Sequence, residues 1–115
     1  MKNYRIMQGT LLCGEKVWMA DNFFTRLRGL MFRKKLDEGE GMFLKNCSSI
    51  HCFFMRFPID VIYLDKKMSV IGTETVMPNR IGSYFRGTKH VLELEKGKAS
   101  LVKVGDVMEI VPNLS

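Results

Sequence analysis

Asp60 stands between a proline and an apolar run, Pro58-Ile59-Asp60-Val61-Ile62-Tyr63-Leu64. A carboxylate in such a setting can be stripped of water, which raises its pKa and suits acid or base work. An aspartate just after a proline bend also accepts backbone amides at the turn, so a structural role at Pro58 stands beside the chemical one. His51, inside the nearly all-apolar segment Ile50 to Phe57, brings an imidazole that could titrate near neutrality or hold a metal, or simply make one satisfied hydrogen bond in a core. Glu93 lies in a second apolar run, Val91-Leu92-Glu93-Leu94, and completes an enzyme reading in which Asp60 works with His51 or Glu93.

Four arginines, Arg26, Arg28, Arg33 and Arg56, could gather around an anion, because the guanidinium fork binds carboxylate or phosphate with two parallel hydrogen bonds. Salt bridges to Asp60, Asp65, Glu93 or Glu95 would use the same groups as scaffold. Met31, Met42 and Met55, among nine methionines, could line an adaptable groove or fill a core. The three cysteines, Cys13, Cys47 and Cys52, form no paired Cys-x-x-Cys hook, so neither a metal nor a disulfide is expected and the thiols should be reduced. Cys52 follows His51 directly, and in a strand the two side chains face opposite ways, against a thiolate–imidazole pair. No Gly-x-x-x-x-Gly-Lys loop is present, and no cofactor is expected.

The chain has 115 residues and a net charge of +6, with 46% apolar and 26% charged residues, the composition of one soluble domain. No apolar stretch is long enough to span a membrane and no export signal is visible, so the expected compartment is the cytoplasm. The basic run Arg26 to Lys35 contains no acid, but Asp37, Glu38 and Glu40 follow it and Phe32 is its only aromatic. Weak nucleic-acid binding through Arg26 to Lys35 is therefore an alternative rather than the main expectation.

The elements that must position these groups are mostly strands. Residues Met1 to Trp18 read as two short strands joined tightly, with Gly9-Thr10 a break and Gly14-Glu15 a turn between Leu11 to Cys13 and Val17 to Met19. Asp21 or Asn22 can cap a two-turn helix ending near Arg28. Leu36 to Gly41 is an acidic loop and Gly41 to Leu44 a strand. Ile50 to Phe57, Ile59 to Leu64, Ser69 to Val76, Lys89 to Leu94 and Val107 to Val111 are further strands, with Asp65 to Met68 a hairpin turn. Lys98 to Val104 has room for one helical turn or a short strand. Val61 and Tyr63 should share one buried face of their strand, Ile62 and Leu64 the other.

Three stretches carry a resemblance: Arg26-Leu27-Arg28-Gly29-Leu30-Met31-Phe32-Arg33 with Gly41-Met42-Phe43, then Phe53 to Asp65 through Met55-Arg56-Phe57-Pro58-Ile59-Asp60, and finally Val91-Leu92-Glu93-Leu94 with Gly105-Asp106. In that order the chain resembles the domain of unknown function 192 family of small prokaryotic proteins, from about residue 20 to 110. That family's central motif has a short polar link and Pro-Leu-Asp; here the link is Arg56-Phe57 and Ile59 replaces the leucine. The resemblance implies a compact, mostly β domain and no particular activity.

The expectation is thus a single mainly β domain over 1–115, a small antiparallel β-barrel-like fold with one or two short helices. Arg33, Met55, Arg56, Asp60 and Glu93 come from separate motifs and should meet at one rim as a ligand-binding site. The expected function is non-catalytic binding of a small anionic ligand, a peptide or a partner protein.

Overall fold

The run after Pro58 sets the frame, since its β-branched and aromatic residues suit a strand covered on both faces. A computed structural model describes residues 3–20, 36–48, 57–78 and 80–113. They form seven strands: β1 (Asn3–Gln8), β2 (Leu11–Ala20), β3 (Glu40–Leu44), β4 (Ile59–Leu64), β5 (Val70–Val76), β6 (His90–Glu95) and β7 (Met108–Pro112). All belong to one sheet in the order β5-β4-β6-β3-β2-β1-β7.

The β4–β5 hairpin forms as its residues dictate. The Asp65 carboxylate accepts the amides of Lys67 at 2.8 Å and Ser69 at 2.9 Å, closing the turn with its own side chain. Val61 and Tyr63 then enter one apolar cluster with Met42, Leu44, Ile59 and Val91. Ile62 and Leu64 enter the other, with Ile6, Val17, Phe43, Leu92, Leu94 and Met108. All four β4 residues are fully buried.

The sheet curls until its edge strands touch. Val70 donates to the Asp106 carbonyl at 2.8 Å, Gly105 to that of Val70 at 2.9 Å, and Met108 to that of Met68 at 2.9 Å, around a bridge between Ser69 and Val107. Among the described residues only this end is joined, so the fold is an incompletely closed barrel.

Two expectations change. Gly14-Glu15 makes no turn: β2 continues from Leu11 to Ala20 and the hairpin reverses at Gly9-Thr10, while β2 carries an extra residue against β1 on each side of Gly14. The sheet is also mixed rather than antiparallel throughout, because β2 and β3 are parallel. A parallel pair needs a long crossover, and here the intervening chain is residues 21–39. The helix expected after Asp21 lies outside the described residues, as do residues 50–56 of the strand expected over Ile50 to Phe57; Phe57 itself is in a bend before β4. Lys98 to Leu101 forms a single 3₁₀ turn, within the range anticipated.

Candidate functional site

The parallel pairing of β2 and β3 sets Lys16 beside Glu40 and Trp18 beside Met42, and strand alternation puts all four on one face. The turn before β3 is fastened to β2: the Gly39 carbonyl accepts the amides of Glu15 at 2.7 Å and Lys16 at 2.9 Å. Glu40 bends back over this turn. Its Oε1 accepts the Asp37 amide at 3.0 Å and its Oε2 accepts the Trp18 indole N–H at 3.3 Å. Burying a carboxylate costs several kcal/mol unless donors meet it, and these bonds help explain why Glu40 can be only 7% exposed.

Around this core lies a cavity of about 530 Å³ lined by Arg5, Glu15, Lys16, Trp18, Asp37, Glu38, Glu40 and Asn113. Lys16 Nζ stands 5.9 Å from the centre of the Trp18 ring, within the range of a cation–π contact. Asn113 donates its side-chain amide to the Glu15 carbonyl at 3.0 Å, which ties the end of β7 to the same wall. The cleft therefore offers an aromatic surface, two cations and a group of carboxylates in one lining. Such a lining can hold a ligand that carries both signs of charge.

Of the five residues expected to share a rim, Arg33, Met55 and Arg56 lie outside the described residues, as do His51 and the basic run Arg26 to Lys35. The two that are described point apart. Glu93, 3% exposed, is opposite Met42 on β3 and Val61 on β4, which places it on the face of Trp18 and Glu40. Asp60, also 3% exposed, is opposite Leu94 on β6 and Thr75 on β5, on the other face. Its Oδ1 accepts the Thr75 hydroxyl at 2.6 Å, and its Oδ2 accepts the amides of Gly97 and Ala99, each at 2.9 Å. Asp60 does take backbone amides, as one of its two readings held. They come from the 3₁₀ turn rather than from the bend at Pro58.

Elsewhere, His90 accepts the Asn46 amide at its Nδ1 at 3.1 Å and packs its ring 5.3 Å from that of Phe43. Burial, then the positive charges of Lys89 and Lys45, hold its pKa below the ordinary histidine value. Burial likewise pushes the Cys13 thiol up, which keeps it protonated and unreactive. No group of three or more metal-ligating side chains occurs among the described residues.

The sequence model of domain of unknown function 192 (DUF192, "Uncharacterized ACR") matches residues 8–110. The chain belongs to the DUF192 family. Among curated DUF192 relatives, a UPF0127 protein of Pyrococcus abyssi (strain GE5 / Orsay) is 36% identical over 102 residues, covering 82% of this chain and 85% of the relative. A UPF0127 protein of Pyrococcus furiosus is 36% identical over 99 residues, with the same coverage of each. A crystal structure of a protein of unknown function from Novosphingobium aromaticivorans superposes with a TM-score of 0.77 at 22% identity, covering 93% of this chain and 83% of that one. Another, from Sinorhizobium meliloti 1021, whose description as a transcription regulator is provisional, gives a TM-score of 0.77 at 21% identity, covering 95% and 92%. At those identities the likeness to the two structures shows the fold alone.

The cleft residues Lys16, Trp18 and Glu40 were not among the candidates read from the sequence. A usable signal existed in this DUF192 chain: Lys16 and its only tryptophan are two apart on a strand, hence on one face, and Glu40 directly precedes the family stretch Gly41-Met42-Phe43.

Proposed function

We propose that the protein is a non-catalytic binding domain and that its ligand is a short peptide segment, free or on a partner protein, held in the cleft around Trp18. The observation that carries this is the 530 Å³ cavity whose lining combines Lys16 and Arg5 with Glu15, Asp37 and Glu38, with Lys16 over the Trp18 ring. A peptide presents both charges and an apolar body, which matches that lining better than a bare anion does. Binding rather than acid–base chemistry is favoured because the buried carboxylates of Glu40 and Asp60 are already acceptors for structural donors.

The tryptophan is its own reporter. Titrating the protein with a panel of short peptides of defined charge should shift Trp18 fluorescence for those carrying both a basic and an acidic group. Replacing Lys16 and Arg5 by Gln should weaken that binding about tenfold or more, the loss expected for two charge-assisted contacts. If no peptide perturbs Trp18, or if the double variant binds as the parent does, the cleft is not the site. The arginine-borne alternative, an anion held by Arg33 and Arg56 near Glu93, is read in the same screen: simple anions would then bind, and Arg56→Gln rather than the cleft variant would abolish it.

A further inference from the structure

The connection between β5 and β6 turns its apolar side chains both ways. Inward, Phe85 packs its ring 4.6 Å from that of Tyr63 and fills the space over Gly72, where a Cβ would come within 2.3 Å of the Phe85 ring. Glu74 grips the neighbouring turn: its Oε2 accepts the Ser83 amide at 2.6 Å and the Tyr63 hydroxyl, while its Oε1 accepts the Ser83 hydroxyl at 3.1 Å. At the far end the Lys89 amide is bonded to the Leu64 carbonyl at 2.8 Å.

Outward, the same loop holds Ile81 and Tyr84 at 70% and 72% exposure, the highest among the large apolar residues described. Phe85 alone of the three packs on Tyr63 and Gly72. Arg80, Arg86 and Lys89 are exposed beside them, and no acid occurs between Met77 and His90. We propose that this loop is a membrane-docking element that sets Ile81 and Tyr84 into the interface of an anionic lipid surface while its three cations engage the headgroups.

Charge complementarity names the partner's sign, and the shape names its kind. Two apolar tips standing proud of a fixed loop suit a surface that deforms to receive them, whereas a folded protein must supply a matching pocket for each. Tyrosine suits the headgroup level because its ring is apolar and its hydroxyl stays wet. The inference is independent of the cleft, which is built on β1, β2 and β3.

Co-sedimentation with vesicles of equimolar phosphatidylcholine and phosphatidylglycerol tests it, against vesicles of phosphatidylcholine alone. The full chain should partition to the anionic vesicles and not to the neutral ones. Replacing Arg80 and Arg86 by Gln should lower that partition about 25-fold, at close to fivefold for each cation near the surface. Replacing Ile81 and Tyr84 by Ser should lower it at least about tenfold through lost apolar insertion. These side chains are exposed, so the variants should melt with the parent. Removing an equal charge at Lys96 and Lys103 should change the partition much less. The proposal is overturned if the chain does not sediment with anionic vesicles, if the Lys96/Lys103 variant loses as much as the Arg80/Arg86 variant, or if polyuridylate at physiological salt displaces the protein from the vesicles.

Discussion

Asp60 is the clearest place to separate scaffold from site. Its carboxylate holds β4, β5 and the 3₁₀ turn together through three hydrogen bonds at 2.6 to 2.9 Å from a position 3% exposed. Asp60→Ala removes the acceptor from two backbone amides and a hydroxyl, and each orphaned donor costs about 1–3 kcal/mol, so the total should reach about 3–9 kcal/mol. That is a large share of the roughly 5–15 kcal/mol a domain of this kind possesses. Asp60→Asn is milder. Its carbonyl oxygen can still face Gly97 and Ala99, and its amide can donate to Thr75 Oγ1 once that hydroxyl rotates, so the loss is mainly charge assistance, about 1–2 kcal/mol. Urea unfolding followed by Trp18 fluorescence should show the midpoint falling in the order parent, Asn, Ala with the slope unchanged. Thermal midpoints should drop by about 4 °C per kcal/mol. Thr75→Val, which removes one donor only, should fall close to the Asn variant. An Ala variant within about 1 kcal/mol of the parent would refute the structural role, and an Asn variant that keeps its stability but loses every ligand would assign the residue to a binding site instead.

Gly41→Ala should be among the most damaging of the small substitutions, because the added Cβ would sit 2.6 Å from the Glu93 carbonyl oxygen and 2.5 Å from Leu94 Cδ2, and the ladder between β3 and β6 cannot yield; we expect a loss of about 3 kcal/mol or more by chemical unfolding. His90 should make stability depend on pH. Its folded pKa lies below the unfolded value, so the unfolded chain takes up the proton first: the stabilising effect of the neutral ring is present above about pH 6.5 and is lost as pH falls through the lower folded value. His90→Gln should flatten that part of the curve, measured as the parent-minus-variant difference in unfolding free energy between neutral and mildly acidic pH, and an unchanged slope would exclude the coupling.

Local signals and long-range ones fared differently. The β4–β5 hairpin was legible because everything that specifies it, the turn formers and the two β-branched arms, lies within eighteen residues from Ile59 to Val76. Gly14 misled because a glycine in a sequence advertises a turn, whereas here it is a packing position: a Cβ would meet Ile6 at 2.7 Å and Val17 at 2.8 Å. The acceptor role of Asp60 could be read from its type and burial, but not its partners, which come from Gly97 and Ala99 in a distant turn. Glu40 reads as one more acid in a charged loop until the parallel pairing with β2 lays it against Trp18, and nothing local announces a parallel pair. The same topology separates Asp60 from Glu93, since neighbouring strands set in that register send the two carboxylates to opposite faces.

The pairing of β1 with both β2 and β7 also shapes how the chain must fold. β1 finds β2 at once across Gly9-Thr10, but its other flank waits for Met108–Pro112, and the Asn3–Asn113 contact spans almost the whole chain. During synthesis the first strand made is therefore flanked on one side only until the last strand emerges, a ready template for pairing with another copy. Closure over such a distance places the chain among high-contact-order folds, whose folding times run from about milliseconds to seconds. Any condition that slows elongation or depletes chaperones should then be felt first as association of incomplete chains rather than as instability of the finished barrel.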